Sequence, residues 1–492
     1  MNFLQDKNIL IKKGLPFSLF TIALYFPLFL HLGGDALGMW DESLFALRAF
    51  YLSHYNEYLI NFNQIEPLWN HPNTKPPLFT FIQALFFKLF GYNELSLRLP
   101  VAITVLLMLF FLVYLARKQF GKPGIGYFAA LILVTSPGFI HRHVARTGDH
   151  DAVLAFWMLL VFIYFYKLIT ETENQKKYIW IVALFLTAAV LTKSVAGLFP
   201  LPALLLFAIY KRKLKDLVFS WHTWGAIGMF LLLVGSFYFY QEWKSPGFLQ
   251  SVWQEDMGGR YSGESHGHNH PWYFYLELLY KTDFIPWLFF IPFSIVILFT
   301  TAGKKYRDFS LYLLFCSVCI LIIISASGTK CEWYHAGIFP LLALLVAIGI
   351  NWLYEAFLQN TNKENKRIKL LVPAFFVVLI YTLPYIRIID KINYPEKAWI
   401  EEQFGEYMNI VGHRFDYTVS PGRLNICLIF YTEVATKIEG RNVQLKYRSE
   451  DFNVGEVVMC SRYTSWAEKK YTFKIVDKFK DLNLIEITGL KK

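Results

Sequence analysis

Two acidic residues stand side by side at Asp41-Glu42, and a second acidic pair, Asp149 and Asp151, is separated by a single histidine. A carboxylate can take the proton of an attacking hydroxyl, and either pair has the chemistry for that task. Each also has a plainer reading. Acidic side chains favour the positive end of a helix dipole, and Asp is a preferred helix N-cap. The cations are spread more widely. Lys75 precedes Pro76-Pro77, which hold its backbone extended. Arg260 opens a loop that runs to His270-Pro271-Trp272, and Lys330 lies four residues before Tyr334. A cation fixed at a membrane boundary suits a lipid phosphate, with an interface-seeking lysine as the alternative. His266, His268 and His270, at two-residue spacing near Glu264, suit a divalent ion such as Zn²⁺ or simply form a solvated His-rich loop.

The elements that must position these groups are apolar and long. Of 492 residues 55% are hydrophobic and only 17% charged, against roughly a quarter charged in an ordinary soluble domain. Apolar runs fall at 15–33, 97–116, 125–140, 151–169, 178–192, 197–210, 223–240, 284–301, 310–327, 334–357 and 370–388. At 1.5 Å per residue they approach or exceed the roughly 30 Å of a bilayer core. The fold class expected is a polytopic α-helical membrane protein of about 11 spans plus interfacial helices. The stretch 76–91, short and carrying Lys88, reads as one of the interfacial helices. The net charge of +11 gathers in short clusters between apolar runs, which argues against a nucleic-acid partner. Of the five cysteines only Cys316 and Cys319 have CxxC spacing, and they lie inside an apolar run, so neither a disulfide scaffold nor a metal-finger pattern organises the fold.

Basic clusters mark every second loop, among them Arg117, Lys118 and Lys122; Lys211, Arg212, Lys213 and Lys215; and Lys304, Lys305 and Arg307. The positive-inside rule places that set in the cytoplasm. The first outer loop (34–96), the loop at 242–283 and the tail then face outside, in a multi-pass protein of the cytoplasmic (inner) membrane whose active site faces the periplasm. The basic N-terminus before the first apolar run is expected to be an uncleaved anchor rather than a signal peptide. Residues 1–388 form the transmembrane domain, and 389–492 a small soluble α/β domain with a helix over 396–411 and strands at 424–431, 455–460 and 471–476. Cys427 and Cys460 fall on those strands, either bridged or as two buried thiols. No ionisable residue lies near the centre of a span, where an ion-coupled transporter normally needs one. The chemistry-bearing residues gather at one face instead.

At these residues the chain resembles the GT-C class of membrane glycosyltransferases that use polyprenyl-phosphate sugars, the branch with the lipid A aminoarabinose transferases and protein O-mannosyltransferases. The resemblance spans about 15–345. It rests on Asp41-Glu42, Lys75-Pro76-Pro77-Leu78, Phe90-Gly91, Leu97-Arg98-Leu99-Pro100, Asp151, Leu191-Thr192-Lys193, Arg260 with His270-Pro271-Trp272, and Lys330 with Tyr334 and Pro340. It implies a GT-C-like fold, with Asp41 beside Glu42 as base or acceptor-orienting group. Lys75, Arg260 and Lys330 would hold the lipid phosphate, with Tyr334 beside them. Some relatives carry an acidic residue just before the Lys-Pro-Pro lysine, where this chain has Thr74, so a metal site does not transfer directly. The activity implied is transfer of a sugar from a polyprenyl-phosphate donor to a hydroxyl or phosphate of an envelope glycolipid or protein, with inversion. A divalent metal ion is the one cofactor left open, no nucleotide cofactor is expected, and membrane lipids are the surrounding partners. The alternative is a polytopic lipid or solute transporter without transferase activity.

Overall fold

The computed structural model describes residues 18–57, 73–141, 143–259, 268–301, 303–359, 366–395, 398–412, 414, 416–422, 425–447 and 450–491. Each apolar stretch of the sequence falls on a helix. In chain order these and their neighbours are α1 (Ser18–Phe29), α2 (Asp41–Tyr55), α3 (Leu78–Phe90), α4 (Glu94–Phe120), α5 (Pro123–Val134), α6 (Asp151–Thr170), α7 (Gln175–Lys193), α8 (Pro200–Tyr210), α9 (Trp221–Lys244), α10 (Phe274–Asp283), α11 (Trp287–Leu298), α12 (Lys304–Ser325), α13 (Tyr334–Gln359) and α14 (Lys366–Asn393). Among the described residues six are long and apolar enough to cross a membrane, namely α4, α6, α7, α9, α12 and α13. The pair α10 and α11, bent by 111°, would be a seventh if it is one broken span. Helix α3, with 13 residues, reaches only about 20 Å and is too short to cross a bilayer core.

Two compact units emerge. The first comprises Met1–Leu30, Thr74–Phe79 and Val101–Asn393, and the second His31–Asn73, Thr80–Pro100 and Tyr394–Lys492. The core of the first is a continuous apolar cluster that includes Leu112, Ile132, Phe162, Leu313 and Leu344. Helices α4 and α5 approach closely there because position 126 is glycine: a Cβ would lie 2.3 Å from the Val113 Cα, the small-residue packing used where lipid gives helices no hydrophobic drive to associate. Near the start of α13, His335 Nε2 lies 3.1 Å from the Asp283 carboxylate, both side chains being almost fully buried.

The second unit continues with α15 (Ile400–Val411), β1 (Tyr417–Ser420), α16 (Ile426–Glu433), β2 (Val443–Leu445), β3 (Val457–Ser461), β4 (Tyr471–Phe479) and β5 (Leu482–Leu490), the strands ordered β2-β1-β3-β5-β4. β1 pairs in parallel with β2 and β3, and β5 runs antiparallel to β3 and β4. All four residues of β1 are buried, as a central parallel strand requires. The strand expected over 424–431 is instead helix α16. Its apolar run is too short for periodicity to separate the two forms, and two local facts decide it. The Asn425 side chain accepts the Leu428 N–H as an N-cap, and parallel strands β1 and β2 need a crossover rather than a third strand between them. Cys427 therefore sits on a helix, and it and Cys460 are free, buried thiols. The first-loop helix α2 packs on α16 through Phe50 and Phe430, with ring centroids 6.2 Å apart.

Candidate active site

The first unit contains a cavity of about 90 Å³ whose lining includes the charged residues Lys75, Asp151, Lys193 and Asp256 together with Tyr334. Apolar side chains such as Leu154, Met158, Phe199, Ile323 and Ile324 complete the lining. The local sequence explains how each charge arrives. Lys75 is held extended by the prolines that follow it, immediately before α3. Asp151 is the first residue of α6 and Lys193 the last of α7, the favourable ends of a helix dipole for an anion and a cation. At Ser194 the backbone turns with φ 52°, a left-handed value uncommon without glycine, and the chain leaves α7 along the cavity wall.

The charges are paired. Lys75 Nζ donates to Asp256 Oδ1 at 2.7 Å, and Lys193 Nζ donates to Asp151. The other oxygen of Asp256 accepts from the Ser194 hydroxyl at 2.6 Å, and that hydroxyl accepts from Tyr238 at 3.1 Å. Both lysines are slightly more exposed than their partners, Lys75 at 13% against 7% for Asp256 and Lys193 at 11% against 6% for Asp151.

The remaining residues singled out by the sequence separate into groups. Asp149 does not line the cavity. Its buried carboxylate lies 3.1 Å from His143 Nδ1, whose ring packs on Trp333. Neither Asp149 nor Asp151 caps α6, because His150 occupies the N-cap position without a side-chain cap bond. Lys330 is buried and donates from Nζ to the Ser327 carbonyl at 2.6 Å, while its N–H donates to the His268 carbonyl at 3.0 Å. The His270 ring stacks on Phe274 with centroids 3.9 Å apart. Arg260 and His266 lie outside the described residues. Among the described residues no group of three or more His, Cys, Asp or Glu is placed to hold a metal ion.

Asp41 and Glu42 belong to the second unit and open α2. Glu42 is buried, and its two oxygens accept from Arg98 Nε at 2.7 Å and Nη2 at 2.9 Å, with the Gly38 N–H adding a third bond at 2.8 Å. Both oxygens of Glu42 are thus engaged, by Arg98 and by the Gly38 N–H. Asp41, half-buried in the first turn, is the more open of the two. Asp256 escaped the sequence reading because it lies 181 positions from Lys75, in a stretch, Trp253-Gln254-Glu255-Asp256-Met257-Gly258-Gly259, with no catalytic spacing. Lys193 was visible only within the family pattern.

Residues 74–239 match the family described as dolichyl-phosphate-mannose-protein mannosyltransferase, and the matched region begins at the threonine before Lys75. The chain is thus similar to membrane glycosyltransferases that use lipid-phosphate sugars. An uncharacterized protein of Aquifex aeolicus (strain VF5) is 29% identical over 346 residues, 70% of this chain and 64% of that protein. The undecaprenyl phosphate-alpha-4-amino-4-deoxy-L-arabinose arabinosyl transferase of Pseudomonas savastanoi pv. phaseolicola is 25% identical over 300 residues, 60% of this chain and 52% of that enzyme. The matched stretches thus cover less than two thirds of these curated relatives. The crystal structure of ArnT from Cupriavidus metallidurans bound to undecaprenyl phosphate superposes with a TM-score of 0.67 at 16% identity, over 95% of this chain and 97% of that one. The likeness in fold to that structure therefore extends over almost the whole chain.

Proposed function

We propose that this protein is a GT-C-like integral membrane glycosyltransferase that moves a sugar from a polyprenyl-phosphate donor to a hydroxyl or phosphate of an envelope glycolipid or protein, at the outer face of the cytoplasmic membrane. The observation that carries this reading is the cavity wall. Two ammonium groups, Lys75 and Lys193, share it with apolar side chains, a combination that fits a lipid headgroup better than a water-soluble sugar nucleotide. The similar proteins, whose names include undecaprenyl and dolichyl phosphates, support the same donor class.

In this reading the acceptor oxygen attacks the anomeric carbon as the bond from that carbon to the phosphate oxygen breaks. The departing oxygen keeps the electron pair, and fixed cations stabilise its developing charge without reorganising solvent. A single displacement inverts the anomeric centre. The acceptor proton passes to a carboxylate, for which Asp41 is the candidate, since Glu42 is committed to Arg98. Arg260, Lys330 and Tyr334 remain proposed members of the phosphate site, and His266, His268 and His270 a proposed place for a divalent ion.

Purified Lys75→Ala is expected to lose capture of undecaprenyl phosphate while remaining folded. Undiminished binding by Lys75→Ala and Lys193→Ala together would return the transporter alternative to the front. Mass spectrometry of envelope lipids and exported proteins from cells with and without the gene identifies sugar and acceptor. A reporter fused after Lys492 is expected to be active outside the cytoplasm; cytoplasmic activity alone would overturn the orientation.

A further inference from the structure

We infer that Asp256 is a competing anion built into the donor site, a specificity-determining residue that weakens the hold on the phosphate left after transfer more than the hold on the donor. The inference rests on the donor reading above and deepens it. Lys75, the cation proposed to meet the phosphate, already has the Asp256 carboxylate on its ammonium at 2.7 Å. That carboxylate is fixed from its other side by Ser194, which is in turn held by Tyr238. An incoming phosphate must share Lys75 with Asp256 or displace it.

The charge count gives this competition a direction. The cavity wall carries two lysines and two aspartates, so its formal charge is zero. A polyprenyl phosphate sugar is a phosphodiester and carries one negative charge. Transfer breaks the bond from the anomeric carbon to oxygen, the oxygen keeps the electron pair, the acceptor oxygen forms the new bond, and the acceptor proton leaves to a base. What remains on the lipid is a phosphomonoester, whose second ionisation near pH 6 gives it a charge of roughly −1.5 to −2 at pH 7. Like charges a few ångströms apart repel strongly where water is scarce. Asp256 therefore opposes the product more than the donor and favours its release.

The test measures binding of two lipids to the detergent-purified full chain: undecaprenyl monophosphate and its methyl phosphodiester, which stand in for product and donor charge. Asp256→Asn is expected to tighten the monophosphate about tenfold, equivalent to about 1.4 kcal/mol, and the diester about threefold or less. Glu255→Gln, which removes the same charge one residue away, is expected to change neither. If Asp256→Asn does not fold, Asp256→Ser removes the carboxylate in a smaller side chain and keeps a partner for Ser194. Unchanged or weaker monophosphate binding in the folded variant, equal tightening of both lipids, or the same tightening from Glu255→Gln would overturn the inference. Lys75→Ala separates the two levels. If it weakens both lipids while Asp256→Asn has no effect, the donor site stands and the role of Asp256 falls; if it weakens neither, the donor reading itself falls.

Discussion

The Glu42–Arg98 pair in the second unit and the Lys75–Asp256 pair in the first are both well removed from solvent, with side-chain exposures of 2% and 6% against 13% and 7%. Burial alone does not distinguish their roles. The difference lies in what surrounds the cation. Arg98 has five N–H donors, and they serve both oxygens of Glu42 and the carbonyls of Leu32, Asp35 and Ala36. Lys75 is a compact ammonium at the wall of a cavity, on a flexible stem that can follow a different anion. A guanidinium with every donor committed fastens a loop, whereas an ammonium beside open space can exchange partners. The contrast makes one ion pair a structural tie and the other a candidate binding site.

The largest expected effect tests the structural side. Arg98→Ala leaves a buried carboxylate and three carbonyls without their donor and should destabilise the second unit by about 3–5 kcal/mol, read as protease sensitivity and a lowered melting temperature. If Arg98→Ala instead melts normally and loses only activity, the contrast between the two pairs collapses. Next, Lys75→Ala and Asp41→Asn should each slow sugar transfer by about a hundredfold or more, in line with the loss of a charge-stabilising or proton-transfer group, with melting close to wild type. Only Lys75→Ala should also lose polyprenyl phosphate binding. Wild-type turnover by Asp41→Asn would remove that carboxylate from the mechanism.

A smaller effect sharpens the boundary between the two kinds of site. Tyr431 donates to Glu94 and accepts the Leu37 N–H at 3.0 Å, so Tyr431→Phe should cost about 1–2 kcal/mol of stability without changing lipid binding. The smallest concerns a partly screened pair in the tail. Burial raises the Glu456 carboxyl, but bonds from Lys446, Thr418 and the Asn453 N–H outweigh it and hold its pKa below the ordinary 4.5. A depressed folded pKa contributes stability that is present above about pH 4.5 and lost as pH falls through the folded value. Glu456→Gln should therefore lower stability at pH 7 by less than about 1 kcal/mol and flatten the acid limb, as measured by tail unfolding against pH.

Apolar runs of about twenty residues place the helices because lipid and protein interior make the same demand, and a run such as Leu344 to Ile350 states it without ambiguity. The Lys75-Pro76-Pro77 signature and Asp151 at a helix start were likewise legible, since both depend on local backbone chemistry. Asp256 and Ser194 were not: only tertiary approach gives them a place in the cavity. Leu424 to Tyr431 misled for a related reason: apart from the Asn425 cap, its apolar residues do not tell that they must bridge two parallel strands. Glu42 looked equivalent to Asp41 until Arg98, 56 positions away, distinguished them.

The second unit is drawn from both ends of the chain, and this bears on how the protein is made. Leu37 waits for Tyr431, 394 residues later, and at typical synthesis rates of 5–20 residues per second that is a delay of about 20 to 80 s. Through that interval Leu44, Leu47 and Phe50 lack the tail's share of their common core, Phe430 among it. The insertion machinery or a holding chaperone must shield that surface, and a chain stalled before Ile400 should be marked for degradation even if its membrane helices are already in place.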